Sequence, residues 1–391
     1  MNSSRQLAPA GLLSIAVAFG FARYGYGLFV PEFREDFGLS TEALGFIAAG
    51  AYASYLAALL ATGALVARIG PRPLVVIGGL SAAGGMLMIA LAQNTILLVI
   101  GVILAATSPG WAWAPFSDAV ARMISPDIQS RTLSIITTGT TFGILVAGPA
   151  ALVAGGAWRG AWIAFAVVAI AVTVWDAFLL PTGPHKHDED DEDEEEEQPE
   201  LKPRWFIGPS STRLFAVAAS FGFGGTVYWT YAVDLISEAG GFAESAGPIF
   251  WTVVGAAGIA GVATGDVMYR LGLRRSLVGI LMALGIATLV LGAAPMSLLA
   301  LGVSAVLFGV SFMGMSSLLV TWNSIVFPNQ PGTGFSATQT FLALGTISGP
   351  AVMGVFGGQI GMETAFIVTG ILVLLTVFVK PQEDVGSAEN D

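Results

Sequence analysis

Runs of twenty-odd apolar residues fill this chain, and the pattern of the first half returns in the second half 202 positions later. Phe19, Gly20 and Phe21 return as Phe221, Gly222 and Phe223, and Tyr26 returns as Tyr228. Gly45 and Ile47 return as Gly247 and Ile249. Gly63, Arg68, Gly70 and Arg72 return as Gly265, Arg270, Gly272 and Arg274. A constant offset over four separated segments predicts a duplicated unit, two similar helical bundles joined in one chain with a ligand site between them.

The apolar runs set the fold class. The 391 residues are 54% apolar and only 11% charged, too few charges to cover the surface of a soluble protein of this size. A helix needs about 20 apolar residues to cross the hydrocarbon core. Twelve spans meet this, near 8–31, 43–67, 73–92, 95–121, 131–156, 159–180, 212–236, 246–269, 275–293, 296–322, 333–358 and 362–379. The expected fold is an all-α membrane protein of twelve transmembrane helices in two parallel, pseudo-symmetric bundles. Its expected parts are a first bundle at 1–181, an acidic linker at 182–209, a second bundle at 210–381 and a disordered tail at 382–391. Alternating ten-residue strands, which a membrane barrel requires, are not seen. No short apolar run with a cleavage site opens the chain, so 8–31 reads as a retained helix.

The net charge of −11 is concentrated in one place, because residues 185–200 hold eleven acids against one Lys. Such a run cannot form a packed core, which predicts a solvated linker; a regulatory or cation-binding segment using His185 and His187 is the alternative. There is no Cys, and the only two His lie in that run, so neither a metal site nor His-based catalysis is expected inside the membrane.

Orientation follows from the basic residues. With the N-terminus in the cytoplasm, the inner segments carry Arg5, Arg68, Arg72, Arg122, Arg131, Lys186, Lys202, Arg204, Arg213, Arg270, Arg274, Arg275 and Lys380, and the outer ones only Arg34 and Arg159. This asymmetry predicts both termini and the linker inside. Six spans per half also make the repeat parallel rather than inverted.

The turn after the second span, Gly63-Ala64-Leu65-Val66-Ala67-Arg68-Ile69-Gly70-Pro71-Arg72, resembles the G-x-L-x-D-R-x-G-R-R signature of the major facilitator superfamily. The second half repeats it from Gly265 to Arg274. The acidic position of that signature is Ala67 in one half and Tyr269 in the other. Asp118, one turn before Arg122, is the candidate to supply the missing carboxylate to Arg68 or Arg72; alternatively these arginines, with Arg270 and Arg274, only obey the charge rule. The first span, from Gly20 through Arg23 to Gly27 and Pro31, is similar to the YbfB-like branch of bacterial permeases. Gly148-Pro149 and Gly349-Pro350 resemble the Gly-Pro of proton-coupled antiporters, and read as kinks or close-packing points.

Arg23 is the one basic residue deep inside a span, roughly 22 Å along the first helix. A charge there costs at least about 2.5–3.5 kcal/mol, so it should face a cavity or a partner. Gly20, Tyr24 and Gly27 share its helix face. One reading is an anion site, since the planar guanidinium fork suits a carboxylate or phosphate. The other is a fixed ion pair or a cap on helix carbonyls. No acid lies at its depth, because Asp118, Asp176 and Asp266 sit near the inner ends and Asp234, the repeat counterpart of Glu32, near an outer end. For coupling, Asp234 is the outer candidate and Asp118 the inner one, unless a weak-acid solute carries the proton itself.

In the resembled superfamily spans one, four, seven and ten line the cavity. That resemblance implies that Tyr26, Trp113, Tyr228, Asn323 and Gln339 shape a pocket with aromatic walls; the alternative is an interfacial aromatic belt and hydroxyls bonded to their own helices. The functional expectation is a secondary carrier, acting as a monomer without cofactor, for a small organic anion in a prokaryotic cytoplasmic membrane. Its partners are the solute, a proton and lipid. A proton-coupled exporter of amphipathic compounds and a non-transporting sensor are the competing classes. No nucleophile elbow, paired carboxylates, nucleotide-binding loop or basic nucleic-acid surface points to an enzyme, an ATP-driven pump or a nucleic-acid binder.

Overall fold

The structure, a computed structural model, describes residues 3–184, 208–328 and 330–381. The acidic run 185–200 and the tail 382–391, read above as disordered, lie outside the described residues.

In lipid every backbone polar group must be satisfied within the chain, and long apolar helices do this. The described residues are helical throughout the spans, with no strand among them. Span 1 comprises helices Ser3–Ile15, Ala16–Arg23, Gly25–Leu28 and Val30–Phe37. Spans 2 and 3 are Thr41–Ile69 and Pro71–Ala90; span 4 joins Thr95–Thr107 to Trp113–Met123 through a 3₁₀ turn, Ser108–Trp111. Span 5 is Pro126–Thr137 with Gly139–Ala154, and span 6 is Trp158–Leu179. In the second half, span 7 is Pro209–Ala239, span 8 Ala246–Ala260 with Thr264–Leu271, span 9 Leu273–Ala293, span 10 Leu298–Val326, span 11 Pro331–Ile360 and span 12 Met362–Leu375.

Nine helical stretches are long and apolar enough to cross a membrane, and the span 8 pair, bent by 50°, makes ten. The other two of the twelve are the more polar span 7 and the shorter apolar stretch Met362–Phe378. The first apolar run is thus not one continuous helix. It contains an eight-residue π-helical stretch, Ala16–Arg23, whose wider turn is closed by the Tyr24 N–H donating to the Phe19 carbonyl at 2.9 Å. Such stretches cost helix stability and are frequent at functional sites.

The repeat is visible in the turns. Gly70 and Gly272, 202 apart, both end a helix at φ of 80°, a conformation that L side chains rarely adopt. Pro71 then opens span 3, where its missing N–H costs nothing. Ser40, Asn94 and Ser297 cap spans 2, 4 and 10 by accepting a backbone N–H.

Small residues set how closely the spans approach. Gly20 of span 1 lies against the Gly143 backbone of span 5, and at the same offset Gly222 of span 7 and Gly345 of span 11 repeat the crossing. A Cβ on Gly143 would overlap the Ala16 carbonyl, and one on Gly345 the Ala219 carbonyl. Gly143→Val or Gly345→Val should therefore destabilise the bundle by about 1–3 kcal/mol or more. Gly160→Ala, where a Cβ meets nothing within 4 Å, should be silent. Melting temperature in detergent reads both.

The halves meet along spans 2 and 11 and along spans 5 and 8, with span 7 against the far part of span 1. Both Gly-Pro steps lie on these seams: Gly148 packs on Pro248 and Thr252 of span 8, and Pro350 offers its carbonyl to the Tyr231 hydroxyl at 2.8 Å. They act as close-packing points, as expected for small residues between helices.

Candidate functional site

Arg23 ends the π-helical stretch of span 1 and lies inside an aromatic box. Its guanidinium carbon is 4.0 Å from the ring centre of Tyr55, 5.0 Å from Tyr52, 5.4 Å from Tyr24 and 5.6 Å from Phe19. Ring faces stabilise a cation without neutralising it. The four ion pairs among the described residues are Arg34–Asp234, Arg34–Glu238, Arg122–Asp118 and Arg159–Asp36, so no carboxylate pairs with Arg23. Its buried Nε has no hydrogen-bond partner.

Beside the guanidinium is a small cavity bounded by both halves, with Tyr26, Gly27 and Tyr52 on one side and Trp229 and Thr230 on the other. Its volume of about 10 Å³ suits roughly one water. Organic solutes occupy far larger pockets, so the halves must part to admit one. The wall is continuous across the seam: Tyr24 stacks on Trp229 at 4.5 Å, and Trp229 meets Trp251 edge-on at 5.0 Å. Trp229 Nε1 and Thr230 Oγ1 also lack partners. The site therefore holds a fixed positive charge and unused donors, which is chemistry for an acceptor-rich solute.

At the end of the molecule away from the linker, called here the far end, the halves are locked. Arg34, just past span 1, donates to both carboxylate oxygens of Asp234 on span 7, at 3.0 and 2.5 Å, and to Thr41 Oγ1 at 3.1 Å. Asp234 is 1% exposed, so it is a buried interdomain partner rather than a helix end in water. Glu238 lies 3.4 Å from Arg34; burial and then the Asp234 charge push its carboxyl up, against the pull of Arg34. Above this lock Gly27 lies against the Trp229 carbonyl, and Tyr231 donates across the seam to the Thr41 carbonyl at 3.3 Å.

The residues read from sequence are placed as follows. Arg23 and Tyr26 line the cavity; Tyr26 donates to the Leu44 carbonyl at 2.9 Å. Tyr228 does not reach it, because its ring stacks on Phe308 at 3.6 Å and its hydroxyl meets Ser304 at 2.7 Å inside the second half. Trp113 packs partly buried against the cluster around Phe116. Asn323 accepts from Thr338 at 3.2 Å between spans 10 and 11, and Gln339 is likewise not among the lining residues. Asp118 pairs with Arg122 at 2.7 Å, while Arg72 donates to the Leu180 carbonyl at 2.5 Å and Arg122 to the Gly183 carbonyl at 2.8 Å. These two arginines thus hold the chain where it leaves span 6. Arg68, Arg270 and Arg274 are exposed. Tyr52, Tyr55 and Thr230 were not singled out from sequence. Two tyrosines three apart in an Ala-rich span were the available signal.

Twelve helical spans in two packed halves, with a charged cavity on the seam, define a multi-pass membrane transporter rather than an enzyme. The model of the Major Facilitator Superfamily matches residues 12–347, and the chain belongs to that family. It is 32% identical over 181 residues to human monocarboxylate transporter 11, covering 45% of this chain and 37% of that one. It is 22% identical over 294 residues to the purine ribonucleoside efflux pump NepI of Shigella dysenteriae, covering 74% and 72%. The chain spans less than half the length of the curated relatives with which it shares about 31% identity. Its fold superposes on a bacterial homolog of the human lysosomal transporter Spinster, crystallised inward-facing and unoccupied, with a TM-score of 0.77, 15% identity and 96% of each chain covered.

Proposed function

We propose that this chain carries a small organic anion across a bacterial cytoplasmic membrane by alternating access, one chain forming the working unit. The observation that carries the reading is Arg23, a permanently charged group beside a cavity on the seam of the two halves, with aromatic rings around it and no carboxylate paired to it. The solute's own negative charge then completes the site. A relative whose name is a monocarboxylate transporter agrees with this chemistry. With both termini in the cytoplasm, as the basic residues suggest, the far end faces outward and Arg34–Asp234 is the outer gate. Binding energy shifts the population between this far-end-closed arrangement and its alternate.

The competing reading is export of a neutral aromatic solute, favoured by the Tyr24–Trp229 stack and by the nucleoside pump among the relatives. A thermal-shift panel separates the two. Carboxylates should raise the melting temperature and their neutral amides should not, since a ligand at a hundred times its Kd adds about 2.7 kcal/mol. Equal stabilisation by both members of each pair would overturn the anion reading.

A further inference from the structure

Span 6 carries Asp176, which is 1% exposed. Its Oδ2 lies 2.5 Å from the Ser14 hydroxyl of span 1, and its Oδ1 has no hydrogen-bond partner. Ser14 also contacts the Ala10 carbonyl of its own helix at 3.0 Å. A hydroxyl has one proton, and a carbonyl only accepts. If Ser14 gives its proton to Ala10, as a helical serine commonly does, the Asp176 contact requires a proton on the carboxyl.

The surroundings favour the neutral acid. Spans 1, 3 and 5 pack against span 6. The facing helix of span 1, Ser3–Ile15, has only Arg5, which is exposed. Span 3 has only Arg72, whose Nε is taken by the Leu180 carbonyl. The facing helix of span 5, Gly139–Ala154, has no charged residue. None of the ion pairs among the described residues includes Asp176. A carboxylate buried without a cation is costly, so such a group stays protonated until water or a cation reaches it.

Its position ties it to the solute site. Ser14 is in the last turn of helix Ser3–Ile15, and the next element is the π-helical stretch that ends on Arg23. When the carboxyl O–H breaks, its proton passes to water and the Ser14 hydroxyl turns to the carboxylate. The Ala10 bond is then lost, and a buried anion remains that the present packing does not solvate. The anionic form therefore favours an arrangement in which spans 1 and 6 admit water.

We propose that Asp176, with Ser14, is a proton-binding site of the carrier, filled in the far-end-closed conformation and emptied in the alternate one. The conformational half of this rests on the alternating-access reading; the proton site itself does not. Binding and conformation then influence each other reciprocally.

Two measurements on the purified full chain test it. Infrared spectra should show a protonated-carboxyl band that titrates with pH, persists in Glu32→Gln and is lost in Asp176→Asn. The chain has no Cys, so spin labels can be placed at Glu35 and Glu244, both exposed at the far end. Their distance distribution should respond to pH in the parent and become insensitive to pH in Asp176→Asn. Should Asp176→Asn fail to fold, Ser14→Ala must shift the band; an unshifted band overturns the site. A band and a pH response that both survive Asp176→Asn overturn the proposal, and a titrating band without any distance change overturns its conformational half. A solute panel that fails while band and distances behave as stated removes the anion reading and leaves the proton site standing.

Discussion

Arg23→Ala is expected to weaken binding of a carboxylate solute roughly tenfold to a hundredfold, because hydrogen bonds to a charged group contribute about 1.5–3 kcal/mol and 1.4 kcal/mol is tenfold. Uptake into proteoliposomes should fall with it. Arg23→Lys keeps the charge but loses the planar fork and the face-on contact with Tyr55, 4.0 Å away in the parent, so it should recover only part of the affinity. Tyr55→Leu should cost about 1–2 kcal/mol through the cation–π contact, without abolishing transport. The fold should tolerate Arg23→Ala, since the change removes an unpaired buried charge rather than breaking a pair. Wild-type uptake by Arg23→Ala would remove this residue from the site.

Gly27→Val should trap the protein with its far end open. A Cβ on Gly27 would overlap the Trp229 carbonyl oxygen, a backbone atom that cannot swing aside. The overlap arises only when spans 1 and 7 are closed on each other. An overpacking cost of about 1–3 kcal/mol then falls on one conformation, enough to move the equilibrium roughly fivefold to a hundredfold. Labels at Glu35 and Glu244 should report longer distances, and net transport should drop while thermal stability stays close to the parent's. Arg34→Ala should act in the same direction by leaving the buried Asp234 unpaired, and Asp234→Asn, which removes that charge as well, should be milder. Unaltered distances in Gly27→Val would show that the seam at Trp229 does not need to close.

Much of the architecture was legible before any coordinates. The glycines at 70 and 272 announced two equivalent turns, and both have the positive φ that their signature context demands. The Gly-Pro steps announced close packing, and they lie on the seams. Arg23 stood out because a charge in a span needs a reason. Sequence reasoning was weaker wherever a residue's role depends on which face its helix presents. Tyr228, repeat partner of the cavity-lining Tyr26, turns inward to Ser304 and Phe308 instead. Asp176, close to the end of its span, reads as a surface acid, yet Ser14 and the neighbouring helices bury it.

Taken alone, the amino-acid order determined twelve apolar helices, their duplication and the position of their turns, because lipid leaves the backbone no alternative to internal hydrogen bonds and the 202-residue offset is a property of the string. Only the tertiary structure decided that Tyr52 and Tyr55 enclose Arg23, that Arg34 finds Asp234 two hundred residues away, and that Ser14 meets Asp176. Those contacts depend on how helices rotate and how two halves are apposed, and such long-range choices leave no periodic mark in the sequence.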